Sequence, residues 1–332
     1  MKAAARWAMR LIGPILLVIF LMNSNPVKLL ENMRGLTLWP LLLSLLLFPA
    51  FIGVKSWRWQ IVMHEMGLRP PPLRDLIAFY TIGLYAGGIT PGQSGDFVKG
   101  WYLKARGLPL GPSLFSIVLD RLFDFTVMAA LALVGIVALV DVFPPDMQVS
   151  LRNATVAFAA VVFLLTPLLM ARRPREAVMN LAQRILPGRA SALVERMRDQ
   201  FASLELRPGP FAQLLLASAG SATSTIVRVY LLYLTMPLGN LPPLAIIGTT
   251  ALIAILQALP ISFAGVGVRD AVLIALLQRY GYTTEQALVL SAQFLLINIE
   301  HIILGFLVSL RYPLVKDEAQ ESGVRSQMSS DE

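Results

Sequence analysis

The residues that could do chemistry lie in four places, each inside or beside an apolar stretch. Asp96 and Lys99 follow Pro91-Gly92-Gln93-Ser94-Gly95. Asp120, Arg121 and Asp124 lie in SIVLDRLFDF. Arg269 and Asp270 close Gly265-Val266-Gly267-Val268, and Arg228 and Glu300 sit deep in long apolar runs. At helical spacing Asp96 reaches Lys99, Asp120 and Asp124 share a face, and Arg121 reaches Asp124. A guanidinium is planar and bidentate, so Arg121 and Arg269 suit a phosphate. Glycines ahead of a helix, such as Gly265 and Gly267, free backbone N–H groups for an anion. Structural readings stand beside these. Asp120, Arg121 and Asp124 could form an interfacial ion pair, and Arg269 a pair across an internal twofold axis. Arg228 and Glu300 could neutralise each other, or Glu300 could titrate in proton coupling, with the adjacent His301 pointing elsewhere on its helix.

Other chemistry is poorly provided for. The chain has no cysteine and only two histidines, His64 and His301, too few for a thiolate or histidine metal centre. GQSG lacks the spacing of a nucleophile elbow, GVGVRD lacks the third glycine of a dinucleotide fingerprint, and there is no P-loop. The expectation is a protein without cofactor or metal that is not an enzyme. Of the 332 residues 56% are apolar and 14% charged, and the mean hydropathy is +0.67, which excludes a water-soluble protein. The net charge of +8 falls in loops between apolar runs, so it reports orientation in a membrane rather than nucleic acid binding.

The elements that must position these charges are helices. Six stretches are read as spans: about 7–22, retained rather than cleaved, 36–54, 114–140, 154–171, 211–236 and 287–310. His64 falls in a basic amphipathic loop after the second, beside Trp57 and Trp59. Two further runs, 76–90 and 244–259, would reach only about 22–24 Å into a core about 30 Å thick before breaking at Pro91 and Pro260. Proline and glycine at such depth expose backbone that lipid cannot satisfy, so both read as re-entrant hairpins, about 76–98 and 244–280. With a cytoplasmic amino terminus, 21 Lys and Arg fall inside, four outside (Lys28, Arg34, Arg152, Arg279) and three in the bundle (Arg121, Arg228, Arg269). The fold class expected is an all-α integral membrane protein, about six spanning helices plus two re-entrant helical hairpins in an inverted repeat. Residues 1–171 form the first repeat and 209–313 the second. Between them 172–208, with eight arginines, forms a cytoplasmic basic amphipathic loop, and 314–332 is a disordered cytoplasmic tail.

PGQSGDFVKGWYLKARG with SIVLDRLFD, and ALPISFAGVGVRDA with GYTTEQALVLSAQF, resemble the flippase-like membrane family, which includes the transmembrane part of bacterial lysylphosphatidylglycerol synthases. The resemblance covers about residues 36–313. It implies transfer of a lipid or lipid-linked head group between leaflets, with the two hairpins meeting near a central cavity. It carries substrate binding onto Gly95, Asp96, Lys99, Asp120, Arg121, Gly265, Gly267, Arg269 and Asp270, and Asp124 joins them by its shared face. Asp96 and Asp270 stand where glutamate is expected, Lys99 where arginine is commoner and Ala264 where glycine is. The expected mechanism has Arg269, Lys99 and Arg121 holding one phosphate head group. The expected partner is a membrane phospholipid or polyprenyl-phosphate-linked lipid, with a separate synthase or envelope enzyme possible; the tail is too short for an aminoacyl-transfer domain. The expected location is a prokaryotic inner membrane with both termini in the cytoplasm. Two rivals are a membrane-embedded transferase with Asp96 or Asp120 as base, and a scaffold that recruits envelope-synthesis enzymes through its basic loop.

Overall fold

The computed structural model describes residues 15, 17–139, 145–170, 176, 177, 180, 181, 183, 208–239, 241–258 and 266–314, and every element among them is helical. In chain order these are α1 (Pro26–Arg34), α2 (Leu38–Leu46), α3 (Phe48–Glu65), α4 (Leu73–Gly88), a 3-10 turn (Pro91–Phe97), α5 (Val98–Ala105), α6 (Leu110–Leu139), α7 (Pro145–Met170), α8 (Pro208–Tyr233), α9 (Pro243–Ala258), α10 (Val268–Arg279) and α11 (Thr284–Arg311). Proline opens α1, α7, α8 and α9, where its fixed φ fits and its missing N–H would have had no intrahelical partner. Four helices among the described residues are long and apolar enough to cross a membrane: Leu38–Glu65 (α2 and α3 as one unit), Gln148–Thr166, Gly209–Tyr233 and Thr284–Arg311. The chain is therefore an all-α membrane protein. On α7, Val149, Val156, Val161 and Leu164 are exposed, as a surface facing lipid tails requires. Most of the expected first span, the basic loop and the tail lie outside the described residues.

The expected second span ends at residue 54, but the helix runs on to Glu65, and Arg58 and Trp59 in it are completely buried. His64 is therefore in a helix rather than a loop. Charges normally end a span because lipid will not solvate them; here Lys55 and Arg58 meet carboxylates instead.

The first expected break occurs, and the second, at Pro260, lies outside the described residues. α4 leads into the 3-10 turn and α5 then packs back along α4. Arg106, just past α5, pairs at 2.5 Å with Asp75 in the first turn of α4, so the two ends of this segment meet. α9 and α10 pack together likewise, although residues 259–265 between them are outside the described set. The two returning helices stop in the same way. Gly107 and Gly281 take φ of +84° and +83°, and the next residue's N–H bonds back to Leu103 in one case and Leu277 in the other. This is the glycine stop that satisfies a helix's last carbonyls.

Packing repeats the same order in the two halves. The leading helix of each hairpin lies on the long helix that follows the other hairpin, α4 on α11 and α9 on α6; α3 contacts α4 as α8 contacts α9, and α3 and α8 meet each other. The crossings are close because small residues form them. A Cβ on Gly135 of α6 would strike the Cα of Gly248 in α9, and one on Gly305 of α11 would strike the Thr81 carbonyl in α4. With lipid tails as apolar as the helices, such close backbone approach is what holds helices together in a bilayer.

Candidate functional site

A connected set of charges lies where α3, α4, the 3-10 turn, α5 and α6 converge. Arg58 donates from Nε to Asp120 Oδ1 at 2.8 Å and from Nη1 to Asp124 Oδ1 at 2.5 Å. Lys55, one turn earlier on α3, reaches the other oxygen of Asp124 at 2.7 Å, and the Tyr80 hydroxyl donates to Asp120 Oδ2 at 2.7 Å. Asp96 lies 2.9 Å from Lys99 Nζ and accepts from Arg121 Nε at 3.0 Å, while Arg121 Nη1 donates to Gln93 Oε1 at 3.0 Å. Lys99 is wholly buried, with its ammonium 3.7 Å from the centre of the Tyr80 ring and 5.0 Å from that of Trp59. Burying an unpaired ion costs several kcal/mol, so this many charges are tolerable only because they pair with one another. The balance is not even. With all groups ionised, four cations (Lys55, Arg58, Lys99, Arg121) meet three carboxylates (Asp96, Asp120, Asp124), leaving one positive charge in excess.

That excess borders a cavity of about 230 Å³ whose lining comes from both halves of the chain. Lys55, Arg121 and Asp124 are its charged lining, Gln93, Gln257, Asn298 and His301 are polar, and Met128, Val229, Ile253 and Phe294 are among its apolar walls. A smaller cavity of about 60 Å³ adjoins it and shares Gln93, Arg121, Gln257 and His301. Asp96, Lys99, Asp120 and Arg58 stand behind these groups and line neither.

Two further clusters complete the polar interior. Arg228 pairs with Glu300, donates to the Ser44 carbonyl at 2.8 Å and lies 3.1 Å from His301 Nε2, while His301 stacks on Phe51. In the second half Arg269 donates to Ser291 Oγ at 2.8 Å; Ser291 donates to Asp270, whose other oxygen accepts the Gly267 N–H at 2.6 Å. Among the described residues the buried Nη1 of Arg269 has no hydrogen-bond partner. Arg269 borders a separate, mostly apolar cavity of about 180 Å³ with Leu17, Leu29 and Leu288.

Several expectations hold: Asp96 with Lys99, Asp120 and Asp124 on one face, and Arg228 with Glu300. Others need correction. Arg121 turns to Asp96 and Gln93, and Asp124 belongs to Lys55 and Arg58 instead. His301 is beside Arg228 despite its adjacency to Glu300. Arg269 pairs locally rather than across an axis, and it borders a different cavity from Arg121, while Lys99 borders none of the three. The Gly267 N–H is spent on Asp270, with Gly267 at φ +82° as the N-cap of α10, so it is not left for an anion. Gly95 serves contact: a Cβ there would collide with the Ala86 carbonyl. Gly265 lies outside the described residues. Lys55, Arg58, Tyr80 and Gln93 were not foreseen. Lys55, Arg58 and Lys99 had all been counted among the cytoplasmic charges. The available signal was Lys55 and Arg58, at i and i+3, continuing an apolar helix with tryptophans on either side of Arg58.

Helices long enough to span a membrane, glycine-mediated crossings and a charge network buried between them define a polytopic α-helical membrane protein with a polar interior. The chain belongs to the family described as the lysylphosphatidylglycerol synthase TM region, whose model matches residues 7–305. It is also similar to a protein named Glycosyltransferase AglD from Haloferax volcanii, 25% identical over 262 residues, a match covering 68% of this chain and 42% of that protein. The chain thus spans less than half the length of this relative.

Proposed function

We propose that this protein moves an anionic lipid, or the anionic head group of a lipid-linked molecule, between the leaflets of its membrane. The observation that carries this reading is the unbalanced positive charge beside a cavity whose remaining lining is largely apolar, with Thr225, Thr250, Gln257, Asn298 and His301 as its other polar groups. An amphiphile with a phosphate head supplies the anion that these cations lack and tolerates the apolar lining. Three of the cavity's polar groups, Lys55, Gln93 and Arg121, carry N–H donors, which suits the acceptor oxygens of a phosphate.

In this reading the two hairpins are re-entrant and dip in from opposite faces, making an inverted repeat. The Asp75–Arg106 closure and the reciprocal packing of α4 on α11 and α9 on α6 support it. Small rocking about the glycine crossings would open the cavity alternately to each leaflet. Arg269, with its unpartnered Nη1, is the second half's cationic pole and meets the head group at the other face. The concentration of basic residues in the loops on one side supports cytoplasmic termini. Reconstitution in vesicles carrying a fluorescent anionic phospholipid on both leaflets tests the function: wild type exposes inner-leaflet probe to an external quencher, and a folded Arg121→Gln/Lys55→Gln variant does not. Equal rates in both, with folding intact, remove the cavity from the pathway.

A second reading, a membrane-embedded transferase on a lipid-linked substrate, draws on the name of the Haloferax relative. The bases it would need are poorly placed: Asp96 and Asp120 are each held by two partners and line neither central cavity. Product formation by purified protein in detergent, where no leaflets exist, would favour this reading over transport.

A further inference from the structure

Gln93 stands at the tip of the first hairpin with φ +54° and ψ +28°, directly after Gly92 at φ +60°, and it is the sole non-glycine residue with positive φ among the described residues. Two successive left-handed residues suit glycine; a glutamine there stores backbone strain. Strain is maintained when the side chain it carries is held to a task, and the surroundings of Gln93 say which. Arg121 Nη1 donates to Gln93 Oε1, and a guanidinium has only donors, so the carboxamide's orientation is fixed: oxygen to Arg121, NH2 to the other side. Gln93 lines both central cavities. Arg121 in turn spends Nε and Nη2 on Asp96 and one Nη1 hydrogen on Gln93, so two of its five N–H groups are left, and its side chain is 21% exposed where it borders the cavities.

We infer that the Gln93 amide and the remaining N–H groups of Arg121 form a donor fork that grips the oxygens of a phosphodiester head group, with Gln93 as a specificity-determining residue that the strained tip sets in place. The inference rests on the transport reading above and assigns its head-group contact. Purified protein in detergent is titrated with dihexanoylphosphatidylglycerol, with dihexanoylglycerol as the phosphate-free control, and thermal unfolding is measured on the same samples. Gln93→Gly should unfold at the same or a higher temperature, because the strain is gone, yet bind the phospholipid at least tenfold more weakly. Gln93→Glu keeps the shape but cancels the excess positive charge, and should lose about a hundredfold or more. If Gln93→Gly binds as wild type while Arg121→Gln does not, the role of Gln93 is wrong and the transport reading survives. If Gln93→Gly loses thermal stability in step with binding, Gln93 is structural and the inference fails. If wild type shows no saturable binding above the control, both readings fall.

Discussion

Arg58→Met should be among the most damaging single substitutions in this protein. Arg58 and Asp120 have completely buried side chains 2.8 Å apart, and Arg58 also holds Asp124 at 2.5 Å. Methionine fills much of the volume but leaves Asp120 with only the Tyr80 hydroxyl, while Asp124 keeps Lys55. Removing one partner of a buried ion pair typically costs about 3–5 kcal/mol, chiefly through the charge left behind. At about 2 °C per kcal/mol for a large domain, the unfolding temperature should fall by roughly 6–10 °C. Asp120→Asn alone should cost less, about 1–3 kcal/mol, because the amide oxygen still accepts one hydrogen bond. The double variant tests the reasoning most sharply. With both charges gone its cost should fall short of the sum of the singles by about 1–3 kcal/mol. The assay is thermal unfolding in detergent followed by tryptophan fluorescence, with Trp59 beside the network and bonded to Ser116 as the local reporter. Additive costs, or an Arg58→Met protein as stable as wild type, would refute the claim that these charges are held by each other.

Gly305→Leu and Gly135→Leu should each lower the unfolding temperature, by overpacking worth about 1–3 kcal/mol or more, because backbone faces backbone at both crossings. Glu300→Gln should cost about 1–3 kcal/mol, since Arg228 keeps the Ser44 carbonyl and His301, and transport by the variant should respond to a pH gradient as wild type does; selective loss of that response would make Glu300 a proton carrier. The chain has no native cysteine, so single cysteines report sidedness without background. Cysteines replacing Arg74 and Lys104 should be modified by an impermeant reagent from one side of the membrane, and those replacing Gly239 and Gly281 from the other. All four labelling from the same side would overturn the proposed inverted repeat.

Much of the architecture could be read from the chain because lipid is an unforgiving solvent. Apolar runs of spanning length and the break after residue 90 each answer a local cost that leaves a mark in the sequence. The site was harder to read. Asp96 with Lys99 and Arg228 with Glu300 were accessible, the first by helical spacing and the second by the cost of two opposite charges in lipid. Arg58 was missed because hydropathy registers a charge as the end of a span, and its compensation by Asp120 comes from a helix 62 positions away. Arg121 was assigned to Asp124, its neighbour on α6, but the 3-10 turn presents Asp96 to it from another element. Local spacing shows which partners are possible; only tertiary packing decides between them. Gln93 gave no signal at all, because an uncharged residue in a turn acquires meaning only from its φ angle and from the cation beside it.

The reciprocal clasp of the hairpins has a consequence for how the chain is made. The bed on which α4 lies is α11, the last helix in the described sequence, while α9 rests on α6. An amino-terminal fragment alone would carry its first hairpin without that bed, so the halves should assemble as complementary pieces when co-expressed and fail when expressed apart. During synthesis the first hairpin must wait for that bed until α11 has emerged.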